Sequence, residues 1–299
     1  MPTPPPTFDL QSHSLHSDGD LPVAGVLDHA ARAGVQTLAL TDHDTLDGVG
    51  EALSAAAALG IRVIPATEIS AVDGSYEDLH VLGYAVRHDD PVLRDRLAGA
   101  REDREARAER MVARLNELGL EVLEQPLRAR RESGKPLGRP HLAGAVLAHP
   151  ANAARLAEEG HTDISSFIRA YLIPGMPAYA GRTRPTVTEA IGWIHDAGGL
   201  AVWAHPFWDI DRDVDVLAAI DRFRAASLDG VEAFYVTHNG PQTRLLADRC
   251  AQLGLISTAS ADFHGPDHRL FSRFLAYELH ERTPQLGALA PARGRVAAR

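Results

Sequence analysis

The chain has 299 residues, 45% of them hydrophobic and 23% charged, with one cysteine and a formal charge of −10. That balance counts against a general surface for duplex nucleic acid, which sets Lys and Arg against phosphates. No apolar run is long enough to span a bilayer, so no membrane partner is expected, and a lone Cys250 excludes an internal disulfide.

The Pro-rich start, Met1 to Thr7, lacks the basic and apolar runs of a signal peptide, which points to a cytoplasmic setting. Phe8 and Leu10 begin a strand that ends in the turn Ser17-Asp18-Gly19. Asp20 is placed to cap a helix in which Val23, Val26, Leu27, Ala30 and Ala31 recur at helical spacing until Gly34. A strand over Val35 to Thr41 runs into Asp42-His43-Asp44, and a helix follows from about Leu46 to Leu59, stopped by Gly60. Ile61 to Ala66 is a third strand, leading into Thr67-Glu68-Ile69-Ser70. A loop rich in acids then gives way to a fourth strand, Leu79 to Val86, with His80 near its start. Strand and helix in alternation predict a parallel sheet covered by helices.

The middle differs. Pro91 to Gly119 reads as one long helix whose run Arg101 to Arg110 spaces its charges at i,i+3 and i,i+4, the pattern of a solvated face. Glu121 to Gly181 contains short helices and no strand, so residues 91–181 are expected to form a helical insertion. Inside it, Gly138-Arg139-Pro140-His141 opens a helix, where backbone N–H groups and an Arg suit an anion. Alternation resumes with helices over Thr186 to Ala197, Asp213 to Ala226 and Pro241 to Leu253. The strands are Leu200 to Ala204, Gly230 to Val236 and Leu255 to Ser260. The expected domains are 1–90 with 182–285, and 91–181, followed by a frayed tail, 286–299.

Seven strands result, nearly all with His, Asp or Glu at the C-terminal end, the face on which parallel barrels keep their chemistry. His80, at the start of its strand, is the exception. One His at a strand end is ordinarily a hydrogen-bonded turn residue. Chance is a poor account of His13, Asp18, His43, Glu68, His80, His205, Asp262 and His264 together, each following or flanking an apolar strand. Mixed nitrogen and oxygen donors suit borderline divalent cations, and eight ligands exceed what one tetrahedral ion takes. Two or three ions are the economical reading.

These motifs carry a resemblance. D-L-Q-S-H-S-L-H-S-D-G from Asp9, L-T-D-H-D-T from Leu40, P-A-T-E-I-S from Pro65, D-L-H-V-L-G-Y from Asp78, A-H-P from Ala204 and S-A-D-F-H from Ser260 resemble, in order, those of the PHP (polymerase and histidinol phosphatase) family. The helical insertion resembles the branch of nucleoside 3′,5′-bisphosphate phosphatases and 5′→3′ exoribonucleases. The resemblance implies a distorted (β/α)7 TIM-like barrel, α/β in class, with two or three manganese, zinc or iron ions. It implies a hydrolase of phosphate esters that uses metal-activated hydroxide on a nucleotide or the 5′ end of short RNA. Glu68 would bridge two ions, one held by His13 and Asp262 and one by His80 and His205, while Asp18, His43 and His264 would hold a third. His43 would be catalytic, with Arg139 and His141, matching an R-x-H segment, acting on the substrate phosphate alongside His264. Asp42 and Asp44 would orient His43. Gln11 stands where the family usually has His, and could bind only weakly through its carbonyl. Met176 stands where the branch tends to have Lys. The alternatives are a small-metabolite phosphatase, such as one for histidinol phosphate, or a non-catalytic metal-binding module.

Overall fold

A computed structural model describes residues 6–74, 76–132, 137–181 and 185–290. The first residues of the Pro-rich start, residue 182 at the expected domain boundary and the tail from residue 291 lie outside the described residues. Seven strands form one sheet in chain order: β1 (Phe8–Asp9), β2 (Thr37–Leu40), β3 (Arg62–Asp73), β4 (Tyr76–Tyr84), β5 (Leu200–Trp203), β6 (Gly230–Tyr235) and β7 (Ile256–Ser260). The helices, among the described residues, are α1 (Val23–Arg32), α2 (Val49–Leu59), α3 (Pro91–Glu117), α4 (Glu124–Glu132), α5 (Arg139–Leu147), α6 (Ala153–Glu158), α7 (Ile164–Tyr171), α8 (Val187–Asp196), α9 (Asp213–Ala225) and α10 (Gly240–Leu253). The chain divides into two compact units. One contains Met1–Ala71, Asp78–Leu97 and Pro185–Arg299; the other contains Val72–Glu77 and Ala98–Arg184.

In the first unit the sheet curls until its ends meet. Leu10 N–H donates to Ala259 O at 3.2 Å, and Ser12 bridges Phe263, so β7 returns beside β1. Inside, Leu10, Ile64, Leu82, Tyr84 and Val202 are fully or almost fully buried in one cluster. Each such aliphatic side chain contributes about 1.5–3 kcal/mol relative to exposure. Helix α1 packs Val26, Leu27 and Ala30 against Leu38, Ala52 and Phe263 on the outside of the strands.

Three expectations change in this unit. The sheet is not wholly parallel: β4 runs antiparallel to β5, with Val81 opposite Trp203. Only two residues separate β3 from β4, the first of them Gly74 at φ +60°, and a parallel connection would need a crossover of a dozen or more. The reversal removes the anomaly of His80. An antiparallel strand enters the sheet where its neighbours finish, and His80, midway along β4, comes level with the end of β5, where Ala204 N–H donates to His80 O at 3.0 Å. Second, the residue before α1 is Pro22 and not Asp20; its ring offers no acceptor, and Asp20 N–H donates to His264 O. Third, the described start of the tail is packed. Leu286 and Leu289 are buried in the barrel interior, and the Arg62 guanidinium donates to Leu289 O and Ala290 O.

The second unit has its own core, in which Met111, Leu115, Leu142, Val146, Phe167 and Leu172 pack together. Its charges are mostly paired on helix surfaces, as with Arg155 and Glu159 one turn apart. Arg107 departs from the solvated-face reading. It is buried, donates to Glu77 at 2.8 Å and to Ala180 O at 2.9 Å, and so ties the start of β4 to the end of the unit.

Candidate metal centre

Backbone pairing continues past the strand ends and sets the candidate ligands side by side. His43 bridges Glu68 in parallel register, and His13 N–H donates to Phe263 O at 2.8 Å. Three of the strand-end residues, Asp44 (φ +52°), His205 (φ +26°) and Asp262 (φ +54°), hold left-handed backbone. Such residues cost on the order of 1–3 kcal/mol each and persist where their surroundings fix them, commonly at functional sites.

Glu68 is the hub. Its Oε2 lies 3.1 Å from His13 Nε2 and 3.7 Å from His43 Nδ1; its Oε1 lies 2.8 Å from His80 Nδ1 and 3.1 Å from His205 Nε2. Asp262 Oδ1 stands 3.0 Å from His13 Nε2. On the other side of His13, Asp18 comes within 3.4 Å of its Nδ1 and within 3.5 Å of both His43 Nε2 and His264 Nε2. All eight residues expected to hold metal are therefore in one place. The donor atoms of seven of them fall into three groups: His13, Asp18, His43 and His264; His43, Glu68 and His80; and His13, Glu68 and Asp262; His205 stands beside the second through Glu68 Oε1. His13 Nε2, His43 Nδ1 and Asp262 Oδ1 are buried without a hydrogen-bond partner, although oppositely charged atoms stand close by. Buried polar atoms that converge without bonding one another are the arrangement a shared cation would satisfy, and the mixed N/O set fits a borderline divalent ion.

The electrostatics point the same way. Burial opposes a charge on Glu68, yet His43, His80, His13 and His205 hold its carboxyl well below the usual range. Burial likewise opposes ionisation of Asp262, but His264 and His13 bring it to about 2. Asp18 is also held well down, against burial, by His43 and His264. Burial disfavours charge on His13 and His205, but Asp262 and Glu68 hold His13 well above its ordinary value, and Glu68 brings His205 to about 9. His43 goes the other way, to about 4, because burial outweighs Asp18 and Glu68. Three carboxylates, two of them buried and Asp18 partly so, thus stay ionised and call for positive charge between them.

A second layer positions this set, and most of it was not evident in the sequence. Tyr235 donates to Asp262 Oδ2 at 2.7 Å, leaving Oδ1 for the centre. His264 Nδ1 lies 2.7 Å from Asp262 O, which turns Nε2 toward Asp18. Asp42 does not orient His43 through these bonds. Its two oxygens accept from Ser14 N–H, Ser14 Oγ and Ser17 Oγ, fixing the loop that carries Asp18. Asp44 Oδ1 accepts from Ser70 N–H at 2.9 Å. Gln11 turns its amide nitrogen to Glu68 Oε2 at 2.9 Å, while its carbonyl accepts from Ser260 Oγ, so the weak ligand expected there is a hydrogen-bond donor instead. Ser260 Oγ also donates to Glu232, which accepts from His205 N–H at 2.9 Å. Glu232 passed unnoticed in the apolar run G-V-E-A-F-Y, although an acid inside such a run is itself a signal. Arg139 and His141 belong to the second unit. They open α5, where His141 Nδ1 accepts from Gly138 N–H at 3.0 Å. Met176, also in that unit, is 36% exposed.

A barrel with this crowd of imidazoles and carboxylates is the frame of a metal-dependent phosphoesterase, and the comparisons with known proteins agree. Residues 9–113 match the PHP domain. The chain is 33% identical, over 87% of each sequence, to the 3′,5′-nucleoside bisphosphate phosphatase of Chromobacterium violaceum. It is 30% identical to a 5′-3′ exoribonuclease of Salmonella typhimurium, over 87% of this chain and 85% of that one. A Bifidobacterium adolescentis structure described as a metal-dependent phosphoesterase superposes with a TM-score of 0.70 at 26% identity, covering 89% of this chain and 91% of its own. The chain belongs to the PHP family and is a hydrolase of phosphate esters. No helix among its described residues is long and apolar enough to cross a membrane.

Proposed function

We propose that the chain removes a phosphate from a nucleotide, taking a nucleoside 3′,5′-bisphosphate or the 5′ end of a short oligoribonucleotide. The observation that carries the reading is the convergence of five imidazoles and three carboxylates, seven of them in three groups of potential ligands and His205 beside Glu68. The activities of the two relatives supply the substrate class. Two or three divalent ions are assigned to the centre, manganese, zinc or iron among them. A neutral imidazole has one lone pair to give. His13 and His43 each fall into two of the three groups, so each is assigned to one ion. His13 and Asp262 take one side of Glu68, His80 and His205 take the other, and Asp18, His43 and His264 form a third set. The two oxygens of Glu68 face opposite ways, toward His13 and toward His80 with His205, which supports a bridging role.

When bound, the ions would neutralise phosphoryl oxygens and acidify water. The protein's own groups do the rest. The Gln11 amide and the Tyr235 hydroxyl hold Glu68 and Asp262 in their rotamers, and Asp42 holds the Asp18 loop. His43, 11% exposed in its side chain, gives its one lone pair to the third set and is assigned its catalytic part there, as a ligand at the mouth. Arg139 and His141 are assigned to the substrate phosphate on the R-x-H resemblance, with His264 as a third contact, and Arg139→Ala is expected to raise KM. The reaction is set in the cytoplasm, without duplex nucleic acid or membrane as partner. The test is purified protein with manganese against adenosine 3′,5′-bisphosphate, a short 5′-phosphorylated RNA and histidinol phosphate. Preference for either nucleotide substrate supports the reading, whereas preference for histidinol phosphate overturns it.

A further inference from the structure

The chain buries one tryptophan and displays another close by. Trp203, on β5, is 1% exposed, whereas Trp208, five residues later, is 50% exposed. Trp208 ends the short 3₁₀ turn Pro206–Trp208 that follows His205, and its backbone N–H donates to His205 O at 2.8 Å, which fixes the main chain of Trp208 next to that candidate ligand. Its ring centroid lies 6.4 Å from that of His205 and 5.7 Å from that of Phe271. Phe271 in turn lies 5.3 Å from His264 and is stacked on His268 at 5.0 Å with 13° between the planes. A strip of aromatic rings therefore leads outward from two candidate metal ligands and ends in an exposed indole. Leu270 beside Phe271 is 49% exposed, and Leu15, between His13 and Asp18, is 43% exposed. Three of the large apolar side chains left in water thus sit on loops that carry the centre. Isolated exposed apolar residues are ordinary on a protein surface, but several gathered beside a candidate site mark a surface for a ligand.

We infer that Trp208, backed by Phe271, is a stacking platform for the nucleobase of the substrate. The inference rests on the nucleotide reading above and adds to it the group that recognises the base. Stacking uses the π face common to all bases, so the platform favours nucleotides over base-free phosphates without choosing among bases. Its position beside His205 and His264 places the phosphate at the ions and the base on the indole.

The test compares adenosine 3′,5′-bisphosphate with ribose 5-phosphate, which has no base. Wild type is expected to show a lower KM for the bisphosphate. In Trp208→Ala the ratio of the two KM values should fall by at least about fivefold, the lower end of what stacking on one base contributes. Trp208→Phe should keep most of the ratio, since a phenyl ring still stacks. Equal changes in both KM values, or no change in the ratio, would overturn the platform. A titration without turnover separates this outcome from failure of the phosphatase reading. Tryptophan fluorescence of the wild type, less that of Trp208→Phe, should be quenched by the bisphosphate and not by ribose 5-phosphate. If wild type hydrolyses neither ester, the phosphatase reading falls and the quenching alone decides: its presence supports the platform, its absence ends it.

Discussion

The barrel of the first unit has two levels built from the same strands and opposite in chemistry. Lower down, Leu10, Ile64, Leu82, Tyr84 and Val202 fill the interior, and the one polar tip there, the Tyr84 hydroxyl, donates to Leu10 O at 2.9 Å. At the mouth, His13, Glu68 and His205 stand three or four residues further along three of the same strands, and His80 stands four residues before Tyr84 on the reversed β4. Apolar side chains that fill a space need nothing further to be stable. A buried cluster of carboxylates and imidazoles has a net cost unless each group finds a partner. The lower level therefore supplies the stability that the mouth spends on holding ionised groups in a fixed array. The two levels should separate under mutation, the upper one failing in function and the lower one in folding.

The largest separation is expected at Glu68. Glu68→Gln keeps the shape and removes the charge to which four imidazoles turn, so turnover should fall roughly a thousandfold, the scale of removing one preorganised electrostatic group. Elemental analysis should show metal lost from the variant while its circular dichroism stays native. Full metal content would remove Glu68 from the bridging role. Leu82→Ala is the converse. It deletes a fully buried side chain of the lower level and should cost about 2–5 kcal/mol in denaturant unfolding with little change in KM. A KM shift larger than the loss of stability would mean that the levels are coupled.

Chelation comes next in size. An ion held at a hundredfold above its Kd adds about 2.7 kcal/mol to the folded state. EDTA should therefore lower the melting temperature, and manganese should restore it. In Glu68→Gln the same treatment should move it far less. An equal shift in both proteins would place the stabilising ion elsewhere.

The two levels were unequally legible in the sequence. Helices and strands were readable because glycines with positive φ end them on schedule, Gly34, Gly60 and Gly254 among them, and because the strands are short apolar runs. The residues of the candidate metal centre stood out because His, Asp and Glu are rare at the ends of such runs. The direction of β4 is not legible in its apolar run, which looks the same either way, and the hairpin signal Asp73-Gly74 lies among acids that mask it as a loop. The second layer was hidden for another reason. Asp42, Tyr235, Ser260 and Glu232 act through contacts made across the barrel, and nothing in the spacing of a polar residue says which distant ligand it will hold. Leu286 and Leu289 were hidden by the Ala, Gly and Arg around them, a composition that reads as a loose end.

A further effect, seen only as a change with pH, is expected at the seam between the levels, where Glu232 sits. Burial, with Asp262 adding to it, outweighs the pull of His205 and Ser260 and pushes its carboxyl up to about 8, in contrast to Glu68, which is equally buried and held low. An acid whose folded pKa is raised binds its proton more tightly folded than unfolded, where a glutamate loses it near 4.3. Its contribution to stability is full below that unfolded value and is lost as pH rises toward 8. Glu232→Gln carries no such proton and keeps an oxygen to accept from His205 N–H. In EDTA-treated protein the melting temperature of wild type should decline relative to Glu232→Gln as pH is raised from 5 to 8, and the difference should level off above that. A difference that stays flat across the range would mean that Glu232 is ionised throughout, and the seam would then belong with the mouth.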